Sequence, residues 1–179
     1  VELLAGVPSV IYGFFGLLVV RPFIAEATGS LGFGLATVWI ILAIMIVPTI
    51  ATLTEDALGS LPLGIREASY AMGATRWQTI SRVLLPAAKF GIIDAVILGM
   101  GRAIGETMAV LMLAGNATVI TKGIFQPVST LTSMIVLDMP YASGDHRTAL
   151  FGMAIILFAI SMFFVALVRF VSSRAEKVG

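Results

Sequence analysis

Two charged residues within a long apolar run, Arg102 and Glu106, are the side chains best suited to chemistry in this sequence. They are four residues apart, so on a continuous helix they share a face and can form an ion pair. Charge is costly at membrane depth, and charged residues there usually face a protein interior or an aqueous path. We therefore expect Arg102 and Glu106 to line a polar path through a helical bundle.

The arginine indicates what such a path would carry. A guanidinium offers planar, paired donors that suit a tetrahedral oxyanion. A neighbouring carboxylate would keep the anion from binding too tightly for release, or would accept a hydrogen bond from the protonated oxygen of hydrogen phosphate. Two other interpretations stay open: Arg102 and Glu106 form a structural pair that only fixes helix register, and Asp94 has an interfacial or capping role. We also expect close helix contacts at the glycines of this run: Gly99, Gly101 and Gly105.

The composition indicates that membrane-spanning helices position these residues. Of 179 residues, 59% are hydrophobic and only 12% are charged, whereas soluble domains average about half apolar and about a quarter charged. The chain has no cysteine, which excludes a disulfide scaffold and thiolate metal sites. A net charge of +1 gives no reason to expect nucleic acid as a partner.

Four apolar stretches are long enough to cross a membrane as helices, which takes roughly 20 residues. Positive charge marks the cytoplasmic side, and it is concentrated in segment 55–89 and in the C-terminal tail. We therefore place segment 55–89 and both termini in the cytoplasm and segment 115–147 outside. The apolar piece 127–137 is too short to span, so we expect it to be re-entrant or interfacial. The predicted spans are residues 3–20 (ending at Arg21-Pro22), 31–53, 90–114 and 148–170.

Signatures of catalysis are missing from the sequence. The Gly-x-x-x-x-Gly-Lys-Ser/Thr loop of ATP-binding proteins does not occur, so we expect that the chain does not hydrolyse ATP and is not an enzyme. His146, beside Asp145 in the outer segment, is interpreted as a solvated loop histidine rather than a metal ligand. We expect this chain to bind no metal or cofactor itself.

The cytoplasmic segment predicts two short helices that meet at a glycine. Residues 65–72 form the first, and Gly73 suits a left-handed C-terminal cap. Thr75 and Gln78 fit a capping box that starts a second helix over 76–85, with Pro86 just beyond it. The apolar side chains of this elbow either dock into a groove on another protein or pack beneath their own bundle; they are Ile65, Ala68, Ala71, Met72, Trp77 and Ile80.

The elbow resembles a motif of ABC importer permeases, the EAA loop. That pattern is Glu-Ala-Ala, three residues, Gly, nine residues, then Ile, any residue, Leu-Pro. Here Ser69 replaces the second Ala and Val83 replaces Ile. The resemblance implies that the elbow is the coupling helix that sits in a cleft of the cytoplasmic ATPase. The residues it assigns to ATPase coupling are Glu67, Ala68, Gly73, Leu85 and Pro86.

Longer stretches resemble the phosphate permeases of the PstC/PstA family, and the PstC type in particular. The resemblance lies in the run 101–110 with Ala114-Gly115-Asn116, in the run 73–80, and in the opening run 6–13. It implies that Arg102 and Glu106 line the substrate path. It also implies an all-α polytopic membrane bundle of the type I ABC importer permease kind, with four spans and a cytoplasmic coupling-helix loop.

The same resemblance implies the setting in which the chain works. It predicts a pore subunit of an ATP-driven phosphate importer in a prokaryotic cell membrane, with a second, PstA-type permease beside it. The other implied partners are an extracytoplasmic phosphate-binding protein and a cytoplasmic ABC ATPase dimer, which binds the ATP and Mg²⁺. Residues 1–179 are expected to be a single permease domain that lacks about two N-terminal helices of the six-span family.

Three alternatives to a phosphate permease stay open at this point. A sulfate or molybdate permease carries a similar Arg-x-x-Gly-Glu pattern, although the Thr-Met-Ala-Val continuation here favours phosphate. An ATP-independent channel or secondary transporter would use the charges as an ion or proton relay. A membrane scaffold would anchor an ATPase without any flux of its own.

Overall fold

Long apolar segments form the helices of the computed structural model, which describes residues 6–120 and 122–176. Three helical stretches are long and apolar enough to cross a membrane, or up to four if a pair bent by 72° is counted as one span. This agrees with the all-α membrane bundle expected from the sequence. In chain order the helices are α1 (Ser9–Thr28), α2 (Leu35–Gly59), α3 (Leu63–Ala71), α4 (Arg76–Ala87), α5 (Lys89–Gly105), α6 (Met108–Leu113), α7 (Leu131–Asp138) and α8 (Gly144–Glu176).

Prolines do not end helices α1 and α4 where the sequence predicted an end. The prediction that the first span stops at Arg21-Pro22 is wrong, since α1 continues to Thr28. Proline lacks an N–H group and crowds the carbonyl of the preceding turn. In α1 a π-helical turn precedes the proline, and the Arg21 N–H donates to the Gly16 carbonyl five residues back, which accommodates the misfit. A second π-helical turn, in which the Leu85 N–H donates to the Ile80 carbonyl, precedes Pro86 and allows α4 to continue to Ala87.

The second span lies further along the chain than the predicted range 31–53. Helix α2 begins only at Leu35 because Gly32 and Gly34 adopt positive φ angles of 75° and 129°, which favour glycine and form a turn. At its other end α2 runs on to Gly59, through residues that were assigned to the loop. Arg66 donates to the Leu58 carbonyl at 3.2 Å and so satisfies one of the carbonyls left free at the helix end.

The buried core lies where α1, α2 and α6 meet. Gly16 permits this contact, because an added Cβ would lie 2.7 Å from Leu113 and 2.8 Å from Ile41. Helix α5 packs against the C-terminal half of α2, and it also packs against α8. The main buried side chains of the core are Tyr12, Val20, Ile24, Val38, Ile41, Met45, Val110 and Leu113.

Only one of the three glycines predicted to allow close approach on α5 does so. A Cβ at Gly99 would lie 2.6 Å from Ile50 of α2, whereas Gly101 and Gly105 have no neighbouring atom within 4 Å. Gly101 and Gly105 thus form an open glycine face of α5. Only Ala88 separates α5 from α4, so the helix with this face is joined almost directly to the elbow.

The segment outside the predicted membrane forms α7 rather than a further span. A capping box of Thr130 and Ser133 starts this eight-residue helix. Val128 N–H donates to the Ala114 carbonyl at 2.8 Å, which closes the loop onto the end of α6. Eight residues are too few to cross a membrane, so the expectation of a short segment holds; its re-entrant or interfacial position stays a prediction.

Candidate functional site

The elbow formed by α3 and α4 has the local structure that its sequence predicts. Gly73 takes a left-handed φ of 80° after α3. The Thr75 N–H donates to Gln78 Oε1 at 2.8 Å, and the Gln78 N–H donates to Thr75 Oγ1 at 3.3 Å. This reciprocal capping box fixes the direction in which α4 leaves the glycine.

A hydrogen bond between α3 and α4 closes the elbow. The Ser69 hydroxyl lies 2.9 Å from the hydroxyl of Thr79, which is fully buried. Ser69 is the residue that replaces the second Ala of the EAA pattern. The departure from the motif therefore provides a partner for a buried polar group that would otherwise lose hydrogen-bonding free energy.

The outer surface of the elbow is apolar and uncovered. Met72 is 88% exposed and Trp77 is 72% exposed, so the rest of the chain, as far as it is described, does not bury them. Large apolar side chains in one exposed patch usually mark an interaction surface. The residues predicted for ATPase coupling are all exposed on this elbow: Glu67, Ala68, Gly73, Leu85 and Pro86. Their role in coupling stays a prediction.

The structure contradicts the expected pairing of Arg102 with Glu106. Helix α5 ends at Gly105, and Glu106 has an extended backbone with φ −67° and ψ 126°. Glu106 is therefore the last residue to follow the path of α5, and within the described residues no ion pair joins it to Arg102. The Glu106 side chain instead accepts a hydrogen bond from the Ala109 N–H at 3.1 Å, at the first turn of α6.

Side chains satisfy the backbone groups that this helix break exposes. Thr107 Oγ1 donates to the Gly105 carbonyl at 3.1 Å, and Thr132 Oγ1 of α7 donates to the Glu106 carbonyl at 3.3 Å. A broken helix at membrane depth is tolerated only where such groups find partners within the protein. Neither threonine was singled out from the sequence, although a Thr directly before an apolar run, as at Thr107, is a recognisable helix-start signal.

Glu106 is expected to stabilise the start of α6. Changing Glu106 to Ala should lower the free energy of unfolding by about 1 kcal/mol, the typical loss for a helix cap. Changing Glu106 to Gln should cost less, because the amide oxygen still accepts from the Ala109 N–H. Thermal unfolding of the detergent-solubilised protein measures both variants, and equal stability of all three forms would contradict a capping role.

Arg102 lies in a groove between α5 and α8. The groove has a volume of about 420 Å³, and its lining combines α5 residues with residues in the second half of α8. Arg102 is exposed to this groove, and no ion pair or hydrogen bond within the described part of the chain engages it. Asp94 is half-buried and does not contribute to the lining. The residues around the groove are Ile97, Leu98, Gly101, Arg102, Ile104, Ser161, Phe164, Val165 and Arg169.

The two residues predicted to share the substrate path thus occupy different settings. Arg102 faces an open groove, whereas Glu106 is turned into the helix break. Arg169 and Ser161 both fall within the predicted span 148–170, and neither was given a role from the sequence. Nothing in their local sequence marks these two residues, because only the packing of α8 on α5 brings them to the groove.

His146 is 55% exposed, as expected of a solvated histidine, but it lies in the first turn of α8 rather than in a loop. Its Nε2 lies 3.5 Å from Asp138 Oδ2, so it connects the end of α7 to the first turn of α8. Among the described residues, no group of three or more histidine, aspartate or glutamate side chains could hold a metal ion.

Comparison with known proteins covers almost the whole chain. A family model described as "Binding-protein-dependent transport system inner membrane component" matches residues 1–177. The "Probable ABC transporter permease protein YqgH" of Bacillus subtilis is 48% identical over 98% of this chain and 58% of its own length. The "Phosphate transport system permease protein PstC" of Mesorhizobium japonicum is 36% identical over 98% of this chain and 60% of its own length.

A further PstC, from Pasteurella multocida, is 35% identical over 99% of this chain and 62% of its own length. The chain therefore spans about three-fifths of the length of the curated relatives it matches. No solved structure matches it. These matches confirm the resemblance seen in the motifs, and they agree with the all-helical fold and its apolar spans. The chain belongs to the family of binding-protein-dependent transport system inner membrane components.

Proposed function

We propose that the protein containing this chain is the membrane pore subunit of an ATP-driven importer of inorganic phosphate. The observation that carries the proposal is Arg102, whose guanidinium faces a groove without a protein partner. A guanidinium in such a setting binds a tetrahedral oxyanion. The names of the PstC relatives, phosphate transport system permease proteins, support phosphate as that oxyanion.

The proposed orientation puts the elbow and the C-terminus in the cytoplasm. There the exposed patch around Trp77 and Met72 docks into a cytoplasmic ATPase, which binds ATP and Mg²⁺ and performs the hydrolysis. An extracytoplasmic phosphate-binding protein delivers the anion at the opposite end. A second, PstA-type permease completes the pore beside this chain, next to the open glycine face of α5.

Transport measurements with the complete complex test this proposal. We expect proteoliposomes that contain both permeases, the ATPase and the binding protein to accumulate phosphate only with internal ATP and loaded binding protein. Excess sulfate or molybdate should not compete. Competition by either anion would indicate a sulfate or molybdate permease, uptake without ATP would indicate a channel or secondary transporter, and ATPase binding without uptake would indicate a scaffold.

A further inference from the structure

The groove beside Arg102 contains a second arginine that the proposed function does not yet use. Arg169 of α8 lines the same cavity as Arg102 of α5. The two helices run in opposite directions, because α7 contacts the break after α5 through Thr132 and the start of α8 through Asp138. Arg102, close to the end of α5, and Arg169, far along α8, therefore lie toward opposite ends of the groove.

The lining of this groove has two positive charges and no negative one. Ser161 is the further polar side chain among the lining residues, and its hydroxyl donates to the Leu157 carbonyl at 2.9 Å. Only the guanidinium groups then offer donors to a ligand. Within the part of the chain that the structure describes, no ion pair or hydrogen bond engages Arg169. Unneutralised guanidinium groups in an apolar setting favour an anion between them.

We propose that Arg169 is a second binding station for the phosphate ion, which passes along the groove between Arg102 and Arg169. This inference rests on the proposed function and adds a residue and a direction to it. The part of α8 that lines the groove, residues 161 to 169, covers eight helical steps, about 12 Å at 1.5 Å per residue. Two moderate sites within a groove of this length let an ion leave the first site without a single deep energy minimum, which transport requires.

The size of the groove suits a hydrated ion. Its volume of about 420 Å³ is on the order of ten times the roughly 30 Å³ that one water occupies in the liquid. Phosphate can therefore keep much of its hydration while a guanidinium replaces part of it. This matters because the remaining walls are apolar and offer the ion no other donors.

Free phosphate fits the groove better than the phosphate of a lipid headgroup does. A lipid held by its headgroup at Arg169 would lay its acyl chain along the groove toward Arg102. The acyl chain would then remove the second guanidinium from water without neutralising it, and burying an unpaired charge in hydrocarbon is costly. A free ion meets both arginines in turn.

Phosphate uptake and ATP hydrolysis by the complete transporter in proteoliposomes test the proposal. We expect Arg169→Gln to lower maximal uptake about tenfold, equivalent to about 1.4 kcal/mol, while ATP hydrolysis stimulated by the loaded binding protein continues. Arg169→Lys should recover most of the uptake, because it keeps the charge. Arg147→Gln is the matched control: it removes one exposed positive charge from the first turn of α8, outside the groove lining, and should leave uptake unchanged.

Each other outcome has a distinct meaning. Normal uptake by Arg169→Gln would overturn the second station and leave the proposed function intact, whereas no uptake by the unmutated complex would overturn the proposed function itself. Equal losses of uptake and ATP hydrolysis, without recovery by Arg169→Lys, would assign Arg169 a structural role. A defect that appears only in vesicles containing phosphatidylglycerol would assign the site to a lipid headgroup, and a defect of equal size with and without that lipid supports free phosphate.

Discussion

Replacing Arg102 by alanine is expected to lower ATP-driven phosphate uptake about a hundredfold, since a hydrogen-bonded contact with a charged group contributes up to about 3 kcal/mol and each 1.36 kcal/mol is a factor of ten in rate. The loss should be confined to transport. Arg102 makes no hydrogen bond or ion pair with the described residues, so its removal leaves no buried partner unsatisfied. Assembly with the ATPase and thermal stability should therefore match those of the unmutated protein.

One further variant separates the charge of Arg102 from its shape, and a second variant serves as a control. Arg102→Lys keeps the charge but loses the planar fork, so its uptake should lie between the native and alanine values. Arg147→Ala removes an exposed arginine in the first turn of α8, outside the groove lining, and should transport normally. If Arg102→Ala transports phosphate at the native rate, Arg102 does not line the substrate path, although membership of the family would be unaffected.

The elbow could be predicted from the sequence because local interactions determine it. The left-handed turn at Gly73 and the capping box of Thr75 with Gln78 each depend on residues at most four positions apart. The link between Ser69 and Thr79 could not be predicted, because the direction of α4 relative to α3 decides whether the two hydroxyls meet. The π-helical turns before Pro22 and Pro86 were missed for a similar reason: proline usually ends a helix, and a register shift that rescues one has no clear sequence signal.

The candidate site was predicted less completely than the elbow. The sequence singled out Arg102 and Glu106 as charges in an apolar run, but their relation assumed that one helix continues through 90–114. The Glu106 side chain caps α6 after the break, Thr107 satisfies the Gly105 carbonyl, and α7 satisfies the Glu106 carbonyl from 26 residues away. Arg169 could not be placed at all, because its proximity to the groove depends on the packing of α8 on α5.

The connection between the elbow and Arg102 suggests how ATPase motion reaches the substrate path. Helix α4 passes into α5 through Ala88 alone, with a bend of 72° between them. Arg102 lies 13 residues after Lys89, about 20 Å along α5 at 1.5 Å per residue. Helix α5 also packs on α2 near Gly99. Displacement of the elbow therefore tilts or shifts a single rigid helix that holds the guanidinium in the groove.

Trp77 is expected to contribute most of the elbow's binding to the ATPase. Trp77 lies in the first turn of α4 and is 72% exposed. Tryptophan is among the residues that dominate binding free energy at protein interfaces. Trp77→Ala should weaken ATPase binding by about 2–4 kcal/mol, which corresponds to about thirtyfold to a thousandfold in Kd. Phosphate uptake should fall with it, because coupling requires the bound ATPase.

Titration of the ATPase onto the permease pair in lipid nanodiscs measures this effect. Since Trp77 is exposed and the capping box of α4 does not involve its side chain, the variant should fold normally. Tyr141→Ala is the matched control, because Tyr141 is 90% exposed but lies between α7 and α8, at the end of the chain's bundle opposite the elbow. Native ATPase affinity in Trp77→Ala, or an equal loss in Tyr141→Ala, would show that the exposed patch of the elbow is not the ATPase docking surface.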